Sequence, residues 1–116
     1  MPGQVLYKVL LPDELKELHD NGSFFGSPFE ISDGFIHLCT AEQLPRVLRD
    51  YFSPGDRAII ATLKLEALGE AVAWEPSNSG ELYPHLYGPL SLGAVLSCAA
   101  AERDTSRVIS SPHSAY

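Results

Sequence analysis

A chain of 116 residues, 45% hydrophobic and 20% charged, has room for one modest core and one domain but little for a second. Its net charge of −7 argues against general binding to long nucleic acid, which needs a basic field over the phosphates; a local strip of Arg46, Arg49 and Arg57 leaves room for one small phosphate-bearing ligand. Two cysteines outside any CxxC pair are too few for a disulfide scaffold and poorly placed for structural zinc. The first residues, MPGQVLYKVL, lack the flank and apolar run of a signal peptide, and no stretch approaches the ~20 apolar residues of a membrane span. The expectation is a cytoplasmic protein with no membrane partner.

Residues 4–11 (QVLYKVLL) are rich in β-formers and predict a first strand, ended by Pro12. Residues 13–21 predict a short helix, with acids in the first turn, Leu15 and Leu18 on one side, and Gly22 as its stop. Residues 23–32, dense in Gly, Pro, Ser and Phe, read as a loop that packs some of its rings. Residues 34–39 read as an apolar strand interrupted by His37. It runs into a capping box, Thr40-Ala-Glu-Gln43, and then a helix carrying Leu44, Val47, Leu48 and Tyr51, with Pro45 blurring the start. Pro54-Gly55-Asp56 is a turn. Strands are expected over 57–65 and 71–75, a turn over 76–80, an extended segment over 85–87 between Pro84 and Pro89, and a last strand over 94–101. From residue 104 the chain is small and polar and reads as a loose tail. Six or so strands with two early helices predict a single α+β domain over residues 1–103, built around a curved sheet.

Two histidines stand out as candidates for chemistry. Strand alternation puts Phe35, His37 and Cys39 on one face, with apolar neighbours on both sides, so His37 is expected to be at least half buried. Thr40 would bring a hydroxyl and helix N-terminal amides beside it, which suits an anion. His85 and Tyr87 share a face in Pro84-His85-Leu86-Tyr87-Gly88-Pro89, offering an acid or base beside a flat ring, and Gly88 permits close backbone approach. The plain alternatives are a core histidine satisfied by a carbonyl and an edge strand with a proline-bounded turn. Trp74 reads as core or a packing lid, and Glu75 as a site carboxylate or an ordinary surface acid. Asp33-Gly34 reads as a tight turn whose carboxylate is available to a ribose. Lys8, among apolar neighbours, either snorkels outward or faces an anion, and snorkelling is the simpler expectation. His19 and His113 read as surface and tail residues. Cys39 beside His37 suggests a nucleophile pair, although residues two apart on one strand seldom align for it. The spacing of His37, His85 and the acids specifies no metal site.

Together, YKVL, DGFIHLCT, the helix through Tyr51-Phe52, WEPS and PHLYGPL resemble a bacterial family labelled domain of unknown function 952, over roughly Leu6 to Ala99. That family is grouped by fold with the ADP-ribosyltransferases, including the RNA 2′-phosphotransferases. The resemblance therefore implies a curved, split β-sheet core with flanking helices and a pocket for NAD or ADP-ribose, with no metal. It implies that His37 and Thr40 form the histidine element that hydrogen-bonds a ribose, and that His85 or Tyr87 stands beside the nicotinamide end. The late-strand glutamate usual in that group is missing: AVLSCAAA carries no acid. Glu75 is a candidate substitute at an unmatched position, and Lys8 with one arginine would have to hold any phosphate. The expected function is an NAD- or ADP-ribose-handling enzyme, with His37 and His85 catalytic and Lys8, Asp33, Gly34, Thr40, Trp74, Glu75, Tyr87 and Gly88 binding the ligand. The alternatives are a non-catalytic small-ligand-binding module and an interaction domain with structural histidines.

Overall fold

The computed structural model describes residues 4–101. The first expected strand forms as β1 (Val5–Leu10). It is followed at once by α1 (Pro12–Asn21), with Pro12 in the first turn, where its missing N–H costs nothing. Glu14 reaches back to accept the Leu11 N–H at 2.9 Å. Gly22 ends the helix at φ 76, its N–H donating to the Leu18 carbonyl.

Residues 23–32 are not the expected loop. They hold a two-residue strand, β2 (Ser23–Phe24), and a helix, α2 (Pro28–Asp33). Ser27, Pro28 and Glu30 explain the helix. The Ser27 hydroxyl accepts the Glu30 N–H at 3.2 Å, the Glu30 carboxylate accepts the Ser27 N–H at 3.0 Å, and Pro28 sits in the first turn. Asp33-Gly34 is accordingly the end of this helix rather than a free-standing turn, with Gly34 in the left-handed region at φ 91.

The strand expected over 34–39 is paired only as β3 (Ile36–His37) and then by a single bridge between Cys39 and Tyr7. The Thr40–Gln43 capping bonds are present, but they close a turn, and α3 (Leu44–Tyr51) starts later than expected. Pro45 is the physical reason: without an N–H it is tolerated only in a first helical turn. The chain continues through a 3-10 turn at Pro54–Asp56 to β4 (Ile59–Lys64), α4 (Leu65–Leu68), β5 (Val72–Pro76), β6 (Leu82–Leu86), β7 (Leu90–Ser91) and β8 (Val95–Ala100). The short α4 and β7 carry too few residues for a periodic signal and were not anticipated. The predicted tail lies outside the described residues.

The fold is α+β, with all strand pairs antiparallel. One sheet runs β1-β4-β8, a second β3-β6-β5, and β2 pairs β7. The Cys39–Tyr7 bridge, with N···O distances of 2.8 and 2.9 Å, joins the edge of the first sheet to the chain leaving β3. Because β6 lies between β3 and β5, the edge-strand reading of the His85 segment is wrong. Leu6, Leu10, Leu18, Phe24, Ile36, Leu63, Leu86 and Leu90 belong to one buried cluster, and Val9, Cys39, Val47 and Tyr83 to a second. No helix among the described residues is long and apolar enough to cross a membrane.

Candidate functional site

Antiparallel pairing of β3 with β6 puts His37 directly opposite His85. Cross-strand partners share a face, and the two rings stand edge to face with centroids 5.5 Å apart. Phe35, which alternation places on the same side, stacks on His85 at 4.1 Å and meets His37 edge-on at 4.9 Å. Phe29 of α2 lies parallel to the His37 ring at 5.8 Å. The histidines are thus flanked by aromatic rings and are 2% and 4% exposed.

Each imidazole has its Nδ1 on a carboxylate. His85 Nδ1 lies 2.7 Å from Glu75 Oε1, and the Tyr87 hydroxyl donates to the same oxygen at 2.7 Å. An ionised carboxylate only accepts, so this network puts the proton of His85 on Nδ1. Hydrogen bonds from His85, then from Tyr87, hold the Glu75 carboxyl below its ordinary range. The same bond to Glu75 holds the Tyr87 phenol above its ordinary range. Glu75 and Tyr87 reach solvent, with the Glu75 side chain 39% exposed and Tyr87 47% exposed.

Glu30 orders the other half of the site. Its Oε2 lies 2.6 Å from the Lys8 ammonium, accepts the His37 backbone N–H at 2.8 Å and stands 3.2 Å from His37 Nδ1. Burial pushes this carboxyl up, but the Lys8 charge and the hydrogen bonds from His37 and Lys8 outweigh it, and the group is held far below its ordinary value. Lys8 therefore does not snorkel. It shares the core face of β1 with Leu6 and Leu10, is 4% exposed, and its anion is Glu30 rather than a ligand. Glu30 was not singled out from the sequence. Two signals pointed to it: the Ser27-Pro-Phe-Glu30 capping box, and a lysine on a core-facing strand position that demands an acid.

The remaining candidates divide. Asp33 belongs to the site, its Oδ2 3.6 Å from His37 Nε2. Gly34 and Gly88 border a neighbouring cleft, and their φ values of 91 and 147 explain the glycines. Thr40 lies three residues past β3, and its hydroxyl accepts the Gln43 N–H of the turn rather than capping α3. Trp74 does not join the histidines and is not core. It pairs with Pro84 on the face of β5 opposite Glu75, 47% exposed.

Cys39 is not a nucleophile. It is fully buried among Val9 and Val47, and burial pushes its thiol up to about 12. Cys98 is exposed. Ellman's reagent should therefore titrate one thiol in the native protein and the second only after denaturant is added. Rapid native reaction of both would contradict the buried position. Gly26 packs under the Glu30 side chain at φ 113, and an added Cβ would stand 3.0 Å from Glu30 Cβ. Gly26→Ala should cost about 1–3 kcal/mol in denaturant unfolding, because it combines left-handed strain with displacement of the buried acid. Among the described residues, no cluster of three His, Cys, Asp or Glu groups has metal-binding geometry.

A family model described as a protein of unknown function, DUF952, matches residues 9–98. The chain belongs to this family. Solved structures resemble the chain over most of its length. The crystal structure of protein CC0527 from Caulobacter crescentus is 33% identical, covers 90% of this chain and 92% of its own, and superposes with a TM-score of 0.83. A double mutant of that protein is 32% identical with the same score, and its solution NMR structure is 33% identical with a TM-score of 0.77. No curated protein matches. The DUF952 match spans β3, β5 and β6 and so includes both histidines, Glu30, Glu75 and Tyr87, while Lys8 falls one residue before it.

Proposed function

We propose that this DUF952 protein handles NAD or ADP-ribose, in a fold of the ADP-ribosyltransferase-like group. The carrying observation is the pairing of His37 with His85 at 5.5 Å, each with Nδ1 on a carboxylate, beside the solvent-reachable Glu75 and Tyr87. A carboxylate and a phenol side by side suit the hydroxyls of a ribose, which both donate and accept. With Nδ1 occupied, any proton exchange by either ring goes through Nε2, and a carboxylate on Nδ1 is the arrangement that orients a histidine for acid–base work. Glu75 also supplies, from β5, a carboxylate in the site that the acid-free β8 does not. Two three-stranded antiparallel sheets joined by one bridge are compatible with the split sheet of that group. A 2′-phosphotransferase reaction is less favoured, since Lys8 is committed to Glu30 and is not available for phosphate.

The burial of both imidazoles favours a second reading, a module that binds the same ligand without turning it over. Calorimetry with NAD and ADP-ribose, read together with nicotinamide release, separates these. Saturable binding in the micromolar to millimolar range, weakened by Tyr87→Phe, is the expected result. Nicotinamide release would select the enzyme, and binding without it the module. No saturable heat with either nucleotide, or binding indifferent to Tyr87→Phe, would sink the proposal.

A further inference from the structure

We infer that the cleft between α2 and the segment following β6 is the seat of a flat, uncharged aromatic ring. This deepens the reading above, in which that ring is the adenine base of the ligand. The cleft holds about 330 Å³, at the small end of ligand sites. Phe25 and Ile31 line one side and are 59% and 62% exposed, so large apolar surfaces are left in water there. Gly88 and Pro89 form part of the other side, and a Cβ at Gly88 would meet nothing within 4 Å, so the space over it is open.

Charge decides the class of ligand. Among the described residues Glu30 is the one ionisable residue lining the cleft, and both its oxygens already accept: Oε2 from Lys8 and His37, Oε1 from the Ser27 N–H. The lining therefore presents no ion partner for a phosphate, a carboxylate or an ammonium, and desolvating any of them there would be unfavourable. An uncharged aromatic ring has no ion to desolvate on entry and gains contact with Phe25, Ile31 and Phe35. Phe35 is shared: it lines the cleft, stacks on His85 at 4.1 Å and lies 5.3 Å from the Tyr87 ring. A ring seated in the cleft would leave its attached sugar beside Glu75 and Tyr87.

The test is an amide-resolved NMR titration of the full chain with adenine and, separately, nicotinamide, followed by ADP-ribose. Saturable shifts centred on Phe25, Ile31, Phe35 and Gly88 with adenine are expected, and shifts with nicotinamide alone would overturn the adenine assignment. Ile31→Asp, at an exposed position that should not disturb folding, should weaken adenine and ADP-ribose about tenfold. Glu75→Gln should weaken ADP-ribose and leave the ring compound unchanged. Absence of saturable shifts at millimolar ring compound, shifts centred elsewhere, or an Ile31→Asp protein that binds as well as the parent would overturn the inference. A ring compound held in the cleft with ADP-ribose bound no more tightly would support the cleft and count against the ADP-ribose reading.

Discussion

Glu30→Gln should lower the unfolding free energy by about 3–5 kcal/mol, the usual cost of stripping one partner from a buried ion pair. The amide retains the shape and can still accept the His37 N–H, but it leaves the Lys8 ammonium, 4% exposed, without its counter-ion. At this chain length that corresponds to a fall in Tm on the order of 10–20 °C. Lys8→Met combined with Glu30→Gln should recover part of the loss, because it removes the stranded charge as well; a double-mutant cycle in urea measures how much. The pH dependence has a definite sign. The folded carboxyl lies far below the value of 4.5 that it takes when unconstrained. The unfolded chain therefore binds this proton first as pH drops, and the stabilisation is complete above about pH 5 and lost progressively below 4.5. In Glu30→Gln that part of the acid slope should vanish. A loss under ~1 kcal/mol, as for an exposed pair, would show that Lys8 and Glu30 are not held together out of water.

Glu75→Gln is the converse case, a large effect on ligand and a small one on the fold. Its side chain is 39% exposed and solvent screens the pair, so the melting temperature should hardly move. The carboxylate nonetheless takes both His85 Nδ1 and the Tyr87 hydroxyl on one oxygen. Under the proposed function, replacing it loses the charged acceptor for a sugar hydroxyl and frees His85 to take its other tautomer. A hydrogen bond to a charged group is worth about 1.5–3 kcal/mol, so ADP-ribose affinity should fall roughly 10- to 100-fold by calorimetry. Tyr87→Phe should lose less, since it removes a neutral donor and leaves the carboxylate. Because the bond to Glu75 raises the Tyr87 phenol above its ordinary 10, binding should not show this group titrating at neutral pH. Unchanged ADP-ribose affinity in Glu75→Gln would remove this carboxylate from the binding site.

Local sequence by itself determined a good part of this protein. The order Pro12, acids, Leu18, Gly22 writes α1 without outside help, since caps and period are properties of adjacent residues. Alternation in DGFIHLCT placed Phe35 and His37 on one face, and the rings do touch. The same local rules, applied to Ser27-Pro-Phe-Glu30, would have found α2, and Pro45 would have shifted the start of α3. What alternation along single strands could not give was register between strands. His37 and His85 are 48 positions apart in the chain, and only the antiparallel pairing of β3 with β6 sets their rings 5.5 Å apart. The face of β5 was decided in the same way, turning Glu75 toward His85 and Trp74 away.

Lys8 and the histidine pair mark where the boundary lies. The sequence placed Lys8 between Leu6 and Leu10 on one face of β1, and from that alone a solvated head was the cheaper state. Tertiary structure reversed the balance by bringing Glu30, 22 residues away, to 2.6 Å, because a buried charge is tolerated only when a counter-charge arrives with it. The two histidines likewise began as separate oddities in apolar segments. Packing made them one site, since the carboxylates that orient them, Glu30 on α2 and Glu75 on β5, come from elements that meet only when the sheets close.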